Sequence, residues 1–270
     1  MKIFINLLTP FKADDTIDYD KTKELIDRLI EQGCNNFVIG GNTGEGATLS
    51  FLELKHFLRY FCFHYPQINI YTVINDLSTK KVIRKINNLS DLQNLNGFII
   101  KIPEVSGLKQ QEIFKHFNFI ALTTNKKIII KDCQKVKINE QTISKLVQEH
   151  KNIAGIICKY HVIDHIDNFD VFYDETLLKD FHYQIKSGII SSLANLNYQN
   201  IKKLITSSNK VDHDYLMLLL KYFYQENITS TLKYALSQSE NIECFTRLPL
   251  SNISIELKNN IDRLLKMTIN

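Results

Sequence analysis

Chain breakers are scarce: four prolines and nine glycines occur among 270 residues, beside an apolar content of 44%. That balance excludes a disordered or low-complexity chain and predicts a packed globule. Cysteine occurs five times, at Cys34, Cys62, Cys133, Cys158 and Cys244, and never as a C-x-x-C pair. Each thiol lies in an apolar run, which suits buried side chains in a reducing compartment. No run of about eighteen uncharged apolar residues exists, so no membrane-spanning helix is expected. Met1-Lys2 leads directly into a strand pattern rather than into an apolar leader with a cleavage site, and the expectation is a cytoplasmic chain with no membrane association. An excess of one charge is also missing. The 33 basic and 29 acidic residues give a net +4 and are spread along the chain, with no basic stripe of the kind that tracks a nucleic-acid backbone, so no nucleic-acid partner is expected. The lack of tryptophan bears on neither fold nor mechanism.

What is present is organised around Phe37-Val38-Ile39-Gly40-Gly41-Asn42-Thr43-Gly44-Glu45-Gly46-Ala47-Thr48-Leu49-Ser50. An apolar run too short for a helix meets four glycines within seven residues, and Ser50 with Glu53 then forms a capping-box pattern. The stretch predicts a buried strand, a tight turn and a helix start. Glycines at such a turn let backbone amides approach an anion, and Asn42, Thr43 and Thr48 add short hydrogen-bonding groups. A βα connection with no ligand would leave the same pattern. Two phosphate motifs are excluded: Ala47 stands where a P-loop needs lysine, and no G-x-G-x-x-G can be drawn.

The rest of the chain alternates in the same way. Strand patterns fall over residues 3–8, 68–74, 97–102, 127–132, 153–159, 170–173 and 188–193. Helical spacing falls over residues 18–32, from Ser50 onward with Leu54, Phe57, Leu58 and Phe61, and from Ser78-Thr79 with Val82, Ile83, Ile86 and Leu89. It returns over residues 110–122, from Asn139 through Leu146, and over 175–185 and 199–205. Eight strand patterns alternating with helical spacing in about 200 residues predict parallel strands with right-handed crossovers, closing a TIM (β/α)₈ barrel of the α/β class. Residues 1–210 are expected to form the barrel, and residues 211–270 a C-terminal helical extension packed on it as part of a single unit.

In a barrel, reactive groups belong at the carboxyl ends of the strands. Those positions include Thr9, Asn42 to Glu45, Asn75, Asp76, Lys101, Glu104, Lys131, Asp132, Lys159, His161, Tyr173 to Glu175 and Ser191-Ser192. Lys131 and Lys159 end sequential apolar strands, where a lysine either reaches solvent at the rim or offers an amine able to form a Schiff base with a 2-oxo acid. Cys158, His161, Asp164, His165 and Asp167 form a second cluster. His161 and His165 are spaced i, i+4, but the segment is too short to place both on one helix face and no second ligand cluster is evident, so no metal site is expected.

Leu7-Leu8-Thr9-Pro10-Phe11, then Gly41-Asn42-Thr43-Gly44-Glu45 with Thr48-Leu49-Ser50, resemble the T-P-F and G-T-T-G-E-S-x-T-L-S signatures of the dihydrodipicolinate synthase and N-acetylneuraminate lyase family of pyruvate-binding barrels. Gly188-Ile189-Ile190-Ser191 with Ala194-Asn195 resembles its G-V-I-S-x-x-A-N, and Arg247-Leu248-Pro249-Leu250 resembles the R-L-P-L of the synthase branch. The resemblance implies a cofactor-free lyase that condenses pyruvate with an aldehyde through a lysine Schiff base. It also implies a homo-oligomer, a dimer or tetramer, and substrate contacts at Gly41, Asn42, Thr43, Gly44, Glu45 and Ile190.

Departures from the family pattern gather where its chemistry lies. Asn152-Ile153-Ala154-Gly155-Ile156 matches N-I-V-G-I and puts Ile157 at the lysine position, with Lys159 two residues on along the same strand face. Lys131 falls where the family has its proton-relaying tyrosine, and Asn42 replaces the first threonine of the loop. Pro103-Glu104-Val105 replaces P-Y-Y, Val73-Ile74-Asn75 replaces G-T-G, and Lys135 or Lys137 stands near the family's arginine. Three accounts follow. The chain is a Schiff-base lyase whose amine is Lys159 or Lys131, with Thr43 orienting the 2-oxo acid. Alternatively it is a catalytically silent relative that keeps the barrel for binding or assembly. The third account is metal-dependent aldol chemistry at the His161 cluster.

Overall fold

The computed structural model describes residues 1–133, 135–158, 166–179, 188–240 and 242–267. Eight parallel strands close a barrel in sequence order: β1 (Lys2–Asn6), β2 (Asn36–Ile39), β3 (Asn69–Ile74), β4 (Leu95–Lys101), β5 (Lys127–Lys131), β6 (Ile153–Cys158), β7 (Asp170–Asp174) and β8 (Gly188–Ser191). Helices α1 (Tyr19–Glu31), α2 (Phe51–His64), α3 (Thr79–Asn87), α4 (Gln110–Ala121), α5 (Glu140–Glu149) and α6 (Tyr198–Thr206) accompany the strands. They are followed by α7 (Lys210–Phe223), α8 (Ile228–Ser239) and α9 (Ile255–Met267). The barrel expectation holds. No helix among the described residues is long and apolar enough to cross a membrane.

Alternation along the strands builds two apolar regions. Phe4, Val38, Tyr71, Ile99, Ile129, Ile157 and Phe172 point inward and fill the barrel, with Phe4 edge-on to Tyr71 at 5.3 Å and to Phe172 at 5.2 Å between ring centroids. The opposite strand faces pack under the helices, joined by Leu54, Phe57, Leu58 and Phe61 of α2. Because side chains alternate with a period of two, the next inward positions beyond this layer include Asn6, Lys101, Lys131, Asp174 and Ser192, beside Gly40 and Val73. The sequence therefore places a largely polar layer at the carboxyl end of an apolar plug.

Short side chains start the helices where local sequence allows. Ser50 and Glu53 form the reciprocal box at α2, Glu53 N donating to Ser50 Oγ at 3.2 Å and Ser50 N to Glu53 Oε2 at 2.8 Å. Asn139 accepts from Thr142 N at 2.8 Å, whereas Ser78 makes no such bond at α3.

Several element boundaries differ from expectation. The first strand stops at Asn6, because Leu8 N turns to Asn195 Oδ1 at 3.0 Å and leaves the ladder. The last strand stops at Ser191, and Leu193–Asn195 forms a 3₁₀ turn. The helix expected over 175–185 begins as a 3₁₀ turn, Glu175–Lys179, since the Glu175 side chain is drawn into the barrel wall; residues 180–187 lie outside the described residues.

Candidate active site

The turn after β2 is tight enough to need its glycines. A Cβ on Gly46 would stand 1.9 Å from the Gly40 carbonyl oxygen, and one on Gly41 would stand 2.1 Å from Asn6 Oδ1. Backbone bonds coil the turn on itself, with Gly46 N donating to Gly41 O and Glu45 N to Asn42 O, each at 3.0 Å. Thr9 Oγ1 donates to Gly44 O at 2.7 Å and ties the turn to the end of β1.

Thr43 is buried, and its hydroxyl receives Asn6 Nδ2 at 2.8 Å and lies 2.8 Å from Ser192 Oγ. Asn42 opens onto a cavity of about 270 Å³ at the barrel mouth, lined also by Asn75, Lys101, Lys131 and Asp174. That volume suits a ligand smaller than a drug-sized molecule. Lys101 and Lys131 are register partners on β4 and β5, and Lys101 Nζ lies 2.7 Å from Glu104 Oε1. Lys131 is in turn the register partner of Ile157, which is buried in the inner apolar layer.

Glu45 is the member of the loop whose side chain turns away from the cavity. Its carboxylate meets Lys233 Nζ of α8 at 2.5 Å and accepts from Arg247 N at 2.8 Å. Both side chains of the Glu45–Lys233 pair are fully buried. Burial pushes the Lys233 amine down to about 8 against the opposing pull of Glu45. Lys233 Nζ also donates to Phe245 O at 2.7 Å and sits 4.3 Å from the Phe11 ring centroid. Arg247 lies over the same ring at 4.4 Å and donates to Glu53 Oε1 at 2.6 Å, which holds the Glu53 carboxyl down to about 2. The R-L-P-L segment thus clamps the glycine turn from outside.

On the other side of Thr43 lies Glu175, whose fully buried carboxylate accepts from Ser192 N at 2.9 Å, Leu193 N at 3.1 Å and Tyr224 Oη at 2.6 Å, and from Ser191 Oγ. Burial pushes this carboxyl up to about 7, opposed by the hydroxyls of Ser191 and Tyr224. A carboxyl raised in the folded state keeps a proton that the unfolded chain has lost. Its contribution to stability is therefore complete below about pH 4.5 and is lost as the pH rises through about 7. Urea denaturation of the wild type against Glu175→Gln is expected to show the wild type losing on the order of 3 kcal/mol relative to the variant across that window.

The structure brings Gly41, Asn42, Thr43 and Gly44 to one turn at the mouth, sets Lys131 on the same cavity as Asn42, and leaves Ile190 half-buried against the inner layer. Lys159, His161, Asp164 and His165 lie outside the described residues. No group of three metal-binding side chains is present among the described residues. Cys34, Cys62 and Cys158 are buried thiols pushed up by desolvation to about 12, 11 and 12, as unreactive core residues are. Sequence reasoning missed Asn6, Tyr224 and Lys233. Asn6 carries a signal, a polar residue two positions after an inward phenylalanine. Tyr224 and Lys233 carry none locally.

Fold and site together define a class: a (β/α)₈ barrel whose mouth sets a glycine-rich turn against strand-end lysines. Within that class the chain belongs to the dihydrodipicolinate synthetase family, whose model matches residues 1–268. It is 24% identical over 279 residues to a 4-hydroxy-tetrahydrodipicolinate synthase of Hydrogenobaculum sp., covering 96% of each chain. The same enzyme of Leuconostoc mesenteroides is 28% identical over 156 residues, 56% of this chain and about half, 53%, of that one. A crystal structure of dihydrodipicolinate synthase from Aquifex aeolicus superposes with a TM-score of 0.87 at 24% identity, over 99% of this chain and 98% of that one.

Proposed function

We propose that this chain is a dihydrodipicolinate synthase-like lyase that joins pyruvate, or a close 2-oxo acid, to an aldehyde, with Lys131 as the Schiff-base amine. The observation that carries this reading is the placement of Lys131 on the cavity that Asn42 of the glycine turn also lines, one strand across from Ile157. The turn and the Thr43 hydroxyl hold the carboxylate of the 2-oxo acid, fixing its C2 carbonyl toward the amine. The amine adds to C2 and water leaves; the imine, protonated on nitrogen, acts as an electron sink. Loss of a C3 proton to water then gives an enamine, whose C3 attacks the aldehyde carbon; the new alkoxide takes up a proton, and hydrolysis frees Lys131. No cofactor is needed for this sequence.

Ile157 favours a second reading, in which the barrel binds ligand without a nucleophile, since an aliphatic side chain forms no imine. Borohydride reduction separates the two. Under the proposed reading, pyruvate with borohydride inactivates the chain and adds one reduced pyruvate to its mass, while borohydride alone does neither. An unchanged mass in folded protein at high pyruvate contradicts it. The reading extends to a cytoplasmic homo-oligomer, a dimer or tetramer. Exposed apolar side chains such as Leu52, Leu248 and Ile255 support assembly, and sedimentation of the purified chain tests it.

A further inference from the structure

Thr43 is one member of a file of polar side chains leading from the mouth into the barrel wall. Asn6 Nδ2 donates to Thr43 Oγ1 at 2.8 Å, Thr43 Oγ1 lies 2.8 Å from Ser192 Oγ, and Tyr224 Oη reaches Glu175 Oε1 at 2.6 Å, with the Ser192 side chain acting on the Tyr224 phenol to favour its ionised form. Ser192 falls on a freely varying position of the G-V-I-S-x-x-A-N pattern, and Tyr224 comes from the end of α7 in the C-terminal extension. Ser192 and Tyr224 therefore lie outside the signatures that place the chain in its family, while Thr43 belongs to the glycine turn.

Each hydroxyl has one hydrogen, so the file has two self-consistent directions. With Glu175 ionised, Tyr224 donates to it, Ser192 to Tyr224 and Thr43 to Ser192. The Asn6 amide then donates to Thr43, which has no hydrogen left for a ligand. With Glu175 protonated on Oε1, the order reverses: Glu175 donates to Tyr224, Tyr224 to Ser192 and Ser192 to Thr43. The Thr43 hydrogen is released toward the mouth, where it can meet a carboxylate.

We propose that Glu175, acting through Tyr224 and Ser192, sets the direction of the Thr43 hydroxyl, so that the site takes up one proton when a carboxylate ligand binds. The proton enters from solvent and resides on Glu175; no bond of the ligand breaks. This inference rests on the reading of Thr43 as a carboxylate contact and names what controls it.

The surroundings of Glu175 suit the role. Asp174 on β7 disfavours its ionisation, while the Ser191 hydroxyl and the amides of Ser192 and Leu193 after β8 favour it. Just after α7, Tyr224 is held well above its ordinary value by burial and by Glu175, so it passes a hydrogen along without losing one. With burial setting Glu175 near 7, the reversal falls at neutral pH.

Lactate tests the switch without a carbonyl that could react with an amine. By titration calorimetry on the full chain, wild-type affinity for lactate is expected to fall about tenfold from pH 6 to pH 8. Near pH 8, buffers of different ionisation heat should report about one proton taken up per lactate bound. Tyr224→Phe keeps the ring and cuts the file, and Ser192→Ala cuts it one link nearer the mouth. Each is expected to bind lactate with less than about a twofold change over the same range and with no proton uptake. Pyruvate binding by the wild type is the control for the site itself. A pH dependence that survives in both variants overturns the switch and leaves the carboxylate site standing. Failure of the wild type to bind either lactate or pyruvate at any pH overturns the reading of Thr43 and the switch with it.

Discussion

Lys131→Met is expected to abolish the pyruvate-dependent borohydride adduct and to lower any aldehyde condensation by on the order of a thousandfold or more, the scale of losing a covalent nucleophile. Methionine keeps the length and apolar stem of lysine and removes only the amine. The fold should tolerate it, because Lys131 ends β5 at the cavity rather than in the packed layer below. The loss should appear in kcat, since the glycine turn and Thr43 still hold the carboxylate. A variant with unchanged trapping would move the amine away from Lys131, with Lys159 the next candidate.

Lys233→Met is expected to cost about 3–5 kcal/mol of stability, because it leaves the Glu45 carboxylate fully buried without its counter-charge. The damage is also local to the site. Glu45 anchors the turn through Lys233 and through Arg247 N at 2.8 Å, so a loosened turn should weaken pyruvate binding even where the chain stays folded. Removing both charges in Lys233→Met with Glu45→Gln should recover part of the lost stability, since no unpaired ion is then buried. Urea denaturation of the wild type, both single variants and the double variant measures the coupling. Additive losses would mean that the pair does not hold the turn.

The barrel was legible because its signals are periodic and repeat: short apolar runs alternating with helical spacing admit few topologies. Strand ends were less legible where apolar sequence runs on after pairing stops. Leu7 and Leu8 are as buried as Ile3 to Ile5, so burial alone could not mark Asn6 as the last residue of β1. The same holds for Glu175, which by pattern opens a helix but in the structure turns inward to gather the donors after β8. Glycine spacing pointed to the turn after β2, since conformational need is written into residue type at that place. The clamp on it was not legible. A lysine within Thr-Leu-Lys-Tyr-Ala of α8 reads as a solvated helix position, and only the fold brings Lys233 against Glu45, 188 residues away in sequence. Tyr224 is likewise a helix-end aromatic until β7 and β8 place Glu175 and Ser192 beside it.

The account stands or falls on which atom bonds the 2-oxo acid. After reduction with borohydride in the presence of pyruvate, peptide mapping by mass spectrometry should find a single modified lysine, and it should be Lys131. A modified lysine elsewhere, Lys159 included, would contradict the placement of the amine. No modified lysine, in protein that demonstrably binds pyruvate, would contradict the Schiff base itself and leave a barrel that binds its ligand through the glycine turn alone.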